Sequence, residues 1–594
     1  MAKERGEHEE ARAGVALLAL VLIVAACSSD DEPVADDSET TTPGDDEPTD
    51  GEPVEGGTFV VGLGAQLPAQ GTLNPAVSTQ GGMQQAAGLL FSGLVEIDEN
   101  AEPVPELATE WEILDDGATY VFTLAEDVVF HDGEPLTAED VKWSYEAALL
   151  RHHARTQASI GPALEEPCAP APEPPDCPSI EAVEASGSEQ ATVTFRFARP
   201  YGPLLQQLTH TDGAILPKHI WEGEEPPTAA TPWPEGQDPV GTGPFRFASH
   251  DASEIVFERN PEYFRDPEPY LDRVVQRAVE PAAQAQALAN GEIDWLWGVS
   301  GQDLPALESN PDIEIVTGSQ SAGGSTNCVL KVVYNLFERG ADPAAVQAGT
   351  PGPHPILGDL AVRQAIAQAL DTDVYVEQVL QGNGELATSP ISSQIGFAHT
   401  DAPIGEFDRE EARQLLDEAG WTSSGDGETR TRDGQPLVLD MFHFTGSEGN
   451  LATKMSQDLA EVGIEVQLQQ VDAAGKNSLY GERGFDTMVV SNCQGTDPEI
   501  GVRRFYHTTA ITGAPFTNGA GYSNAEVDTL FDDAAAELDP DTRGELYADI
   551  QEQLAADLPY LWLLETVAVR AHTVECEGLR AYTGHFLETA FCDR

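Results

Sequence analysis

The chain has 594 residues, with 30 Lys and Arg against 102 Asp and Glu and a formal net charge of −72. At about 150 residues per domain the length allows about three or four domains or lobes, and an apolar share of 40% excludes wholesale disorder. Such acidity repels phosphate backbones and anionic headgroups, which excludes nucleic acid as a partner and a charge-driven membrane role, while its field favours cationic solutes.

Residues 1–14 are polar and of mixed charge; Val15 to Ala26 then reads VALLALVLIVAA and stops at Cys27. These twelve apolar residues fall short of the roughly 20 that cross a bilayer and suit the apolar region of a secretory signal. The tetrad Val24-Ala25-Ala26-Cys27 resembles a bacterial lipobox, which implies cleavage before Cys27 and lipid on that residue. Glu4, Glu7, Glu9 and Glu10 make the leader less basic than is usual for such signals. Residues 28–57 hold twelve Asp or Glu and no Lys or Arg, so their charges extend the chain and no core can form there. The expected order is a signal at 1–26, an acidic tether at 27–55 and a globular body on the outer face of the cytoplasmic membrane, held by the lipid alone.

The body opens with a strand over 58–63 and helical spacing over 83–90. Tyr120–Leu124 alternates as a strand, and Val128–Phe130 runs into the turn His131-Asp132-Gly133-Glu134-Pro135. Thr137 and Asp140 form a capping box for a helix running through Tyr145. The Pro-dense stretch 161–178 reads as a loop, excluded from helix and central strand. Strands follow at 191–197, 245–247, 254–257 and 293–297, with a helix at 282–290. Beyond these, helices are predicted at 359–381, 408–420, 448–463, 524–537 and 541–557, and strands at 329–335, 437–444, 464–471, 485–490 and 560–570. Strand–helix alternation of this kind indicates α/β lobes.

Apart from Cys27 there are six cysteines, Cys168, Cys177, Cys328, Cys493, Cys576 and Cys592. An even set in an oxidising exterior suggests disulfides. Local pairing favours Cys168 with Cys177 and Cys576 with Cys592, leaving Cys328 with Cys493, one of the fifteen connectivities that six cysteines allow. None has zinc spacing, and the scattered histidines lack ligand spacing, so no metal site and no cofactor are expected. The body has no GxSxG, HExxH or P-loop, so no catalytic residue is nominated and an enzyme is not expected.

Several blocks point together: GGTFVVGL at 56–63, VVFHDGEPLTAEDVKWSYE at 128–146, VGTGPFRF at 240–247, RNPEYFRD at 259–266, LAVRQAIAQALD at 360–371 and EARQLLDEAGW at 411–421. In this order they resemble the peptide, nickel and opine group of extracellular solute-binding lipoproteins (solute-binding protein family 5), over about residues 56–570. The resemblance implies an α/β fold of the two-lobed periplasmic-binding-protein-like (class II type) kind, with an extra β-rich subdomain and a ligand cleft between the lobes. Lobe I would comprise 56–88, 213–326 and 565–594, the subdomain 89–212 and lobe II 327–564, with crossings near Val329–Asn335 and Leu561–Val567. It implies a monomer that captures a small solute, a peptide or peptide-like molecule first, and hands it to the permease subunits of an ABC importer. Metal-chelate or oligosaccharide receptors are the alternatives on the same fold, and a secreted hydrolase is the alternative outside it.

In the peptide-binding members an Asp four residues before an Asp-Pro or Glu-Pro proline holds the peptide's α-amino group. That position here falls on Gln494, in Asn492-Cys493-Gln494-Gly495-Thr496-Asp497-Pro498. A neutral amide there argues against a free-amine peptide. Oligopeptide members also bond a Cys of this loop to one near the start of lobe II, which implies Cys328–Cys493. The ligand candidates are therefore Asn492, Cys493, Gln494 and Asp497, although Asp497 reads first as the cap of the next turn. Trp295 and Trp297, two apart on a strand, share a face and form either a stacking platform or a core pair. Gln80 and Met83 lie on the rim of lobe I; Tyr506 and Trp421 are weaker candidates, Trp421 reading as packing.

Overall fold

Seven strands make the sheet of lobe I in the order Ile313–Thr317, Val569–Thr573, Trp295–Leu296, Thr58–Leu63, Arg273–Ala278, Glu254–Arg259 and Phe245–His250. Thr58–Leu63 runs parallel to neighbours on both sides. Its sequence TFVVGL is continuously apolar apart from Thr58 and Gly62, as a strand covered on both faces requires. Six strands make the sheet of lobe II: Gly384–Leu386, Tyr560–Thr566, Cys328–Tyr334, Thr487–Cys493, Val438–His443 and Glu465–Gln470. A third, antiparallel sheet of Ala108–Leu114, Thr119–Leu124, Thr192–Arg196 and Ile180–Val183 forms the β-rich subdomain. This computed structural model describes residues 53–592 except 65–66, 68–72, 77–80, 99–101, 167, 169–176, 187–189, 222–223, 225–226, 228–232, 318–327, 424, 426–427, 568 and 581–584. The expected signal, Cys27, the tether up to Glu52 and Gln80 lie outside them, as does the side chain of Met83.

The motif blocks build the frame. Thr137 caps its helix, accepting from the Asp140 amide while Asp140 accepts from the Thr137 amide, and the helix carries on through Tyr145 to His152. His131 holds the glycine turn of VGTGPFRF: its ring contacts the Gly243 carbonyl at 3.0 Å and the Gly241 amide at 3.2 Å. Burial lowers its pKa to about 4, so the ring is neutral and structural. A Cβ on Gly241 would meet the Leu90 carbonyl oxygen at 1.9 Å, so the close backbone approach excludes any other residue there.

The structure departs from the predicted elements in four places. The helix expected over 359–381 is two, Leu360–Ala369 and Tyr375–Leu380, because Leu370 turns to extended backbone (ψ 121°) before the weak helix formers Asp371 and Thr372. The strand expected over 560–570 is also two: Tyr560–Thr566 stays in lobe II and Val569–Thr573 enters lobe I, so the chain passes between the lobes after Thr566. Cys328–Tyr334 belongs wholly to lobe II, so the other crossing comes before this strand and not within it. Finally, helix Ala154–Ala163 enters the Pro-dense stretch, with Pro162 in its last turn.

Disulfides join Cys168 to Cys177, Cys328 to Cys493 and Cys576 to Cys592. One core joins lobe I to the subdomain. The faces of the lobe II sheet carry separate cores, one including Leu330, Val332 and Leu561, the other Val329, Val333 and Trp562.

Candidate functional site

The site is best located from the end of the lobe II sheet where both chain crossings leave it. Cys328 and Cys493 face one another across the Cys328–Tyr334 and Thr487–Cys493 strands, and their disulfide closes this end. One face of the sheet here carries Val329, Lys331 and Val333, flanked by Asn492 and Val490 on one side and Glu565 and Trp562 on the other. An irregularity between Leu330 and Lys331 keeps Glu565 and Trp562 on this shared face, while Leu563 and Leu564 both join the opposite core.

Of the expected site residues, the structure brings four together here. Asn492 is buried; its amide nitrogen reaches the Gly501 carbonyl at 3.5 Å and its side-chain oxygen has no partner among the described residues. Cys493 is taken up by the disulfide. Gln494 is buried, but its carboxamide is committed to backbone: the Ser392 amide donates to its oxygen at 2.8 Å and its nitrogen donates to the Pro390 carbonyl at 2.7 Å. The amide thus latches the 390–392 segment to the ligand loop, a task that a carboxylate, lacking the N–H, cannot perform. Asp497 caps Pro498–Gly501 through the Glu499 amide at 2.9 Å and also pairs with Arg543 at 2.8 Å.

Trp295 and Trp297 lie on lobe I, with rings 5.5 Å apart and edge to face. Trp295 is 0% exposed, stacks on His572 and packs against Phe586, so it belongs to the core. Trp297 is only partly buried and carries the Arg570 guanidinium 4.9 Å above its ring. Arg570 follows the crossing after Thr566, and burial lowers its pKa to about 10. Beside the same crossing, the Asn383 amide of lobe II donates to the Val299 carbonyl of lobe I at 3.2 Å. Trp421 packs in the lobe II core.

The subdomain reaches over the ligand loop. Thr496 donates to the Gln206 side-chain oxygen at 2.7 Å, and Arg199 lies 3.6 Å from Asp532 and 3.7 Å from Asp533. Glu499, buried beneath this contact, has its pKa raised to about 7 by burial, with Arg503 opposing the shift.

Three features of the site escaped the sequence reading. Glu565 gathers the 392–393 segment, accepting from the Ser392 hydroxyl at 2.7 Å and the Ser393 hydroxyl at 2.9 Å. Phe505 and Tyr560 complete an aromatic wall with Tyr506, the one member of it that the sequence nominated. Within that wall stands Lys331, 1% exposed, its ammonium 3.5 Å from the Phe505 ring centre. A lone lysine in the apolar run CVLKVVY was the available signal.

The family described as "Bacterial extracellular solute-binding proteins, family 5 Middle" matches residues 102–513, most of the chain. The chain belongs to family 5 of the bacterial extracellular solute-binding proteins. Among relatives, it is 28% identical to the oligopeptide-binding protein AppA of Bacillus subtilis over 545 residues, 90% of each protein. It is 30% identical to Protein XP55 of Streptomyces lividans over 485 residues, 80% of this chain and 78% of that protein. The structure of Bacillus subtilis AppA in complex with a nonapeptide superposes with a TM-score of 0.72 at 27% identity, covering 91% of this chain and all of that one. NikZ from Campylobacter jejuni, solved with Ni(L-His), shares the fold at 21% identity, with a TM-score of 0.69 over 89% of this chain and 97% of that one. The two-lobed α/β architecture with its extra subdomain is therefore that of a family 5 solute-binding receptor.

Proposed function

We propose that this family 5 receptor captures a peptide between its lobes, is anchored outside the cell by lipid on Cys27, and delivers its cargo as a monomer to the permease of an ABC importer. The observation that carries this is the end-to-end match to AppA, 90% of both chains, together with the superposition on that protein's nonapeptide complex. The walls proposed for the ligand are Asn492 and the Phe505–Tyr506 pair from lobe II, and Trp297, Gln80 and Met83 from lobe I. Gln494 shapes the wall through the 390–392 segment, so the peptide's amine is held elsewhere. Lobe closure around the ligand follows the hinge logic of two-lobed receptors, in which bound solute favours the closed arrangement.

The test is titration of intrinsic Trp fluorescence with peptides of two to nine residues, with sugars, opines and nickel–histidine in parallel. Saturable binding of peptides alone is expected. Binding of a sugar or metal chelate in preference to every peptide would reject the reading. Anchoring is tested separately: Cys27→Ser is expected to move the protein from the membrane fraction to the medium, and retention in the membrane would reject the lipid on Cys27.

A further inference from the structure

Lys331 differs from the other lysines withdrawn from water in lobe II. Lys476 holds both oxygens of Glu448, at 2.8 and 2.9 Å, and Lys454 holds Asp458 at 2.8 Å. Lys331 is 1% exposed and makes no hydrogen bond or ion pair among the described residues. Its surroundings are rings: Phe505 at 3.5 Å, Tyr560 at 5.2 Å and Tyr506 at 5.7 Å from the ammonium. Its charged neighbour is a second cation, Arg504, whose guanidinium lies 4.9 Å from the same Phe505 ring. Burial, with Arg504 beside it, holds the Lys331 pKa well below the usual lysine value, and ring faces compensate a cation only in part, so its charged form needs an anion that the described residues do not supply. Glu565 makes no ion pair with it among the described residues and instead accepts from Ser392 and Ser393.

Two further donors stand beside it, while the unpartnered acceptor of this face, Asn492 Oδ1, lies two residues further along the strands. Trp562 is the cross-strand neighbour of Lys331, and its indole N–H has no acceptor among the described residues. The Tyr506 hydroxyl likewise has no partner. With the ammonium, these are donors in want of an acceptor, and buried donors in native proteins are ordinarily satisfied. A carboxylate offers only acceptors and a negative charge, so it fits all three. The patch lies two residues along the strand from Val329, whose partner Asn492 belongs to the ligand loop.

We propose that Lys331 is the counter-charge for a carboxylate of the captured peptide, in a socket walled by Phe505, Tyr506, Tyr560 and Trp562. This rests on the peptide reading above. Either an acidic side chain or the C-terminus of the peptide supplies the same group.

The full chain is titrated with three pools of four- to nine-residue peptides. One has acidic side chains and amidated C-termini, one has neutral side chains and free C-termini, and one has no carboxylate. The wild-type protein is expected to bind one of the first two at least about tenfold more tightly than the third, and that pool names the source. Lys331→Met is expected to abolish the preference and to leave affinity for the third pool within about threefold. Equal binding of all three pools by the wild type, or a preference kept by Lys331→Met, overturns the proposal alone. No binding of any pool overturns the peptide reading and this proposal with it. Should Lys331→Met fail to fold, Trp562→Phe decides: it keeps the ring, removes the N–H and is expected to lower the preference about threefold; an unchanged preference counts against the socket.

Discussion

Two buried charged centres of this molecule follow opposite plans. At the C-terminal end of lobe I, Arg265 meets Glu96 at 2.8 Å and Glu588 at 3.1 Å, Arg580 also holds Glu588, and Tyr263 donates to Glu588 at 2.5 Å. His585 completes the centre: its Nδ1 donates to the Gly88 carbonyl at 2.6 Å and its Nε2 to Glu106 at 2.5 Å. Each cation there has its anion, and the set binds the C-terminal segment to residues 88–106. In lobe II, Lys331 is as deeply buried and has none. A complete ion network is a structural joint, whereas an incomplete one close to the ligand loop is the place proposed for a ligand's charge.

Breaking the complete centre gives the largest effect. Glu588→Gln leaves Arg265 and Arg580 partly buried with one anion fewer, and is expected to cost about 3–5 kcal/mol by urea unfolding, with peptide affinity of the folded fraction unchanged. Unchanged stability would mean that the centre is not the joint described.

The pH dependence comes next. Burial opposes charge on His585, but Glu106, with Glu96 and Glu588, outweighs it and holds the pKa up at about 9. Nδ1 donates to the Gly88 carbonyl, and Nε2 shares its proton with Glu106, whose own pKa burial raises against the pull of His585. A folded pKa above the unfolded value contributes stability that is complete below about pH 6.5 and lost as pH rises through about 9. Thermal unfolding scans are expected to show a loss on the order of 3 kcal/mol from pH 7 to 10 that His585→Gln removes. A parallel fall in the variant would assign the loss elsewhere.

Gln494→Ala strips partners from the Ser392 amide and the Pro390 carbonyl, and is expected to cost about 1–3 kcal/mol. It should also weaken peptide binding, because the 390–393 segment loses its latch; calorimetric titration reads both. Smallest of all, Lys331→Met exchanges a buried amine, whose pKa burial already holds well below the usual lysine value, for an apolar chain of similar length. Its unfolding midpoint in urea is expected to stay or rise, where a structural salt bridge would show a clear fall.

Much of the frame was legible in the sequence because it is local. The Thr137 cap, the helices beginning near 408 and 524 and the alternation of the subdomain strands are encoded within a few residues. What was missed depends on distant partners. The split of 560–570 between two sheets is invisible in a run that is apolar on both sides of the crossing. Gln494 was read through the aspartate expected at its position, but its role is set by the backbone of Pro390 and Ser392, about a hundred residues earlier. Lys331 passes in sequence for the solvent-facing residue of a strand; only the packing of 503–506 and 560–562 shows that its face is buried. The net charge of −72 and this socket act at different ranges. The field gathers cations from a distance, whereas the socket selects an anion in contact, and a zwitterionic peptide satisfies both.

The central claim, that this family 5 receptor carries peptide, is tested most directly by native mass spectrometry of the full chain purified without refolding. The account predicts an adduct that fragments as peptide and is displaced by an added nonapeptide. A sugar or metal-chelate adduct that peptides do not displace would contradict it.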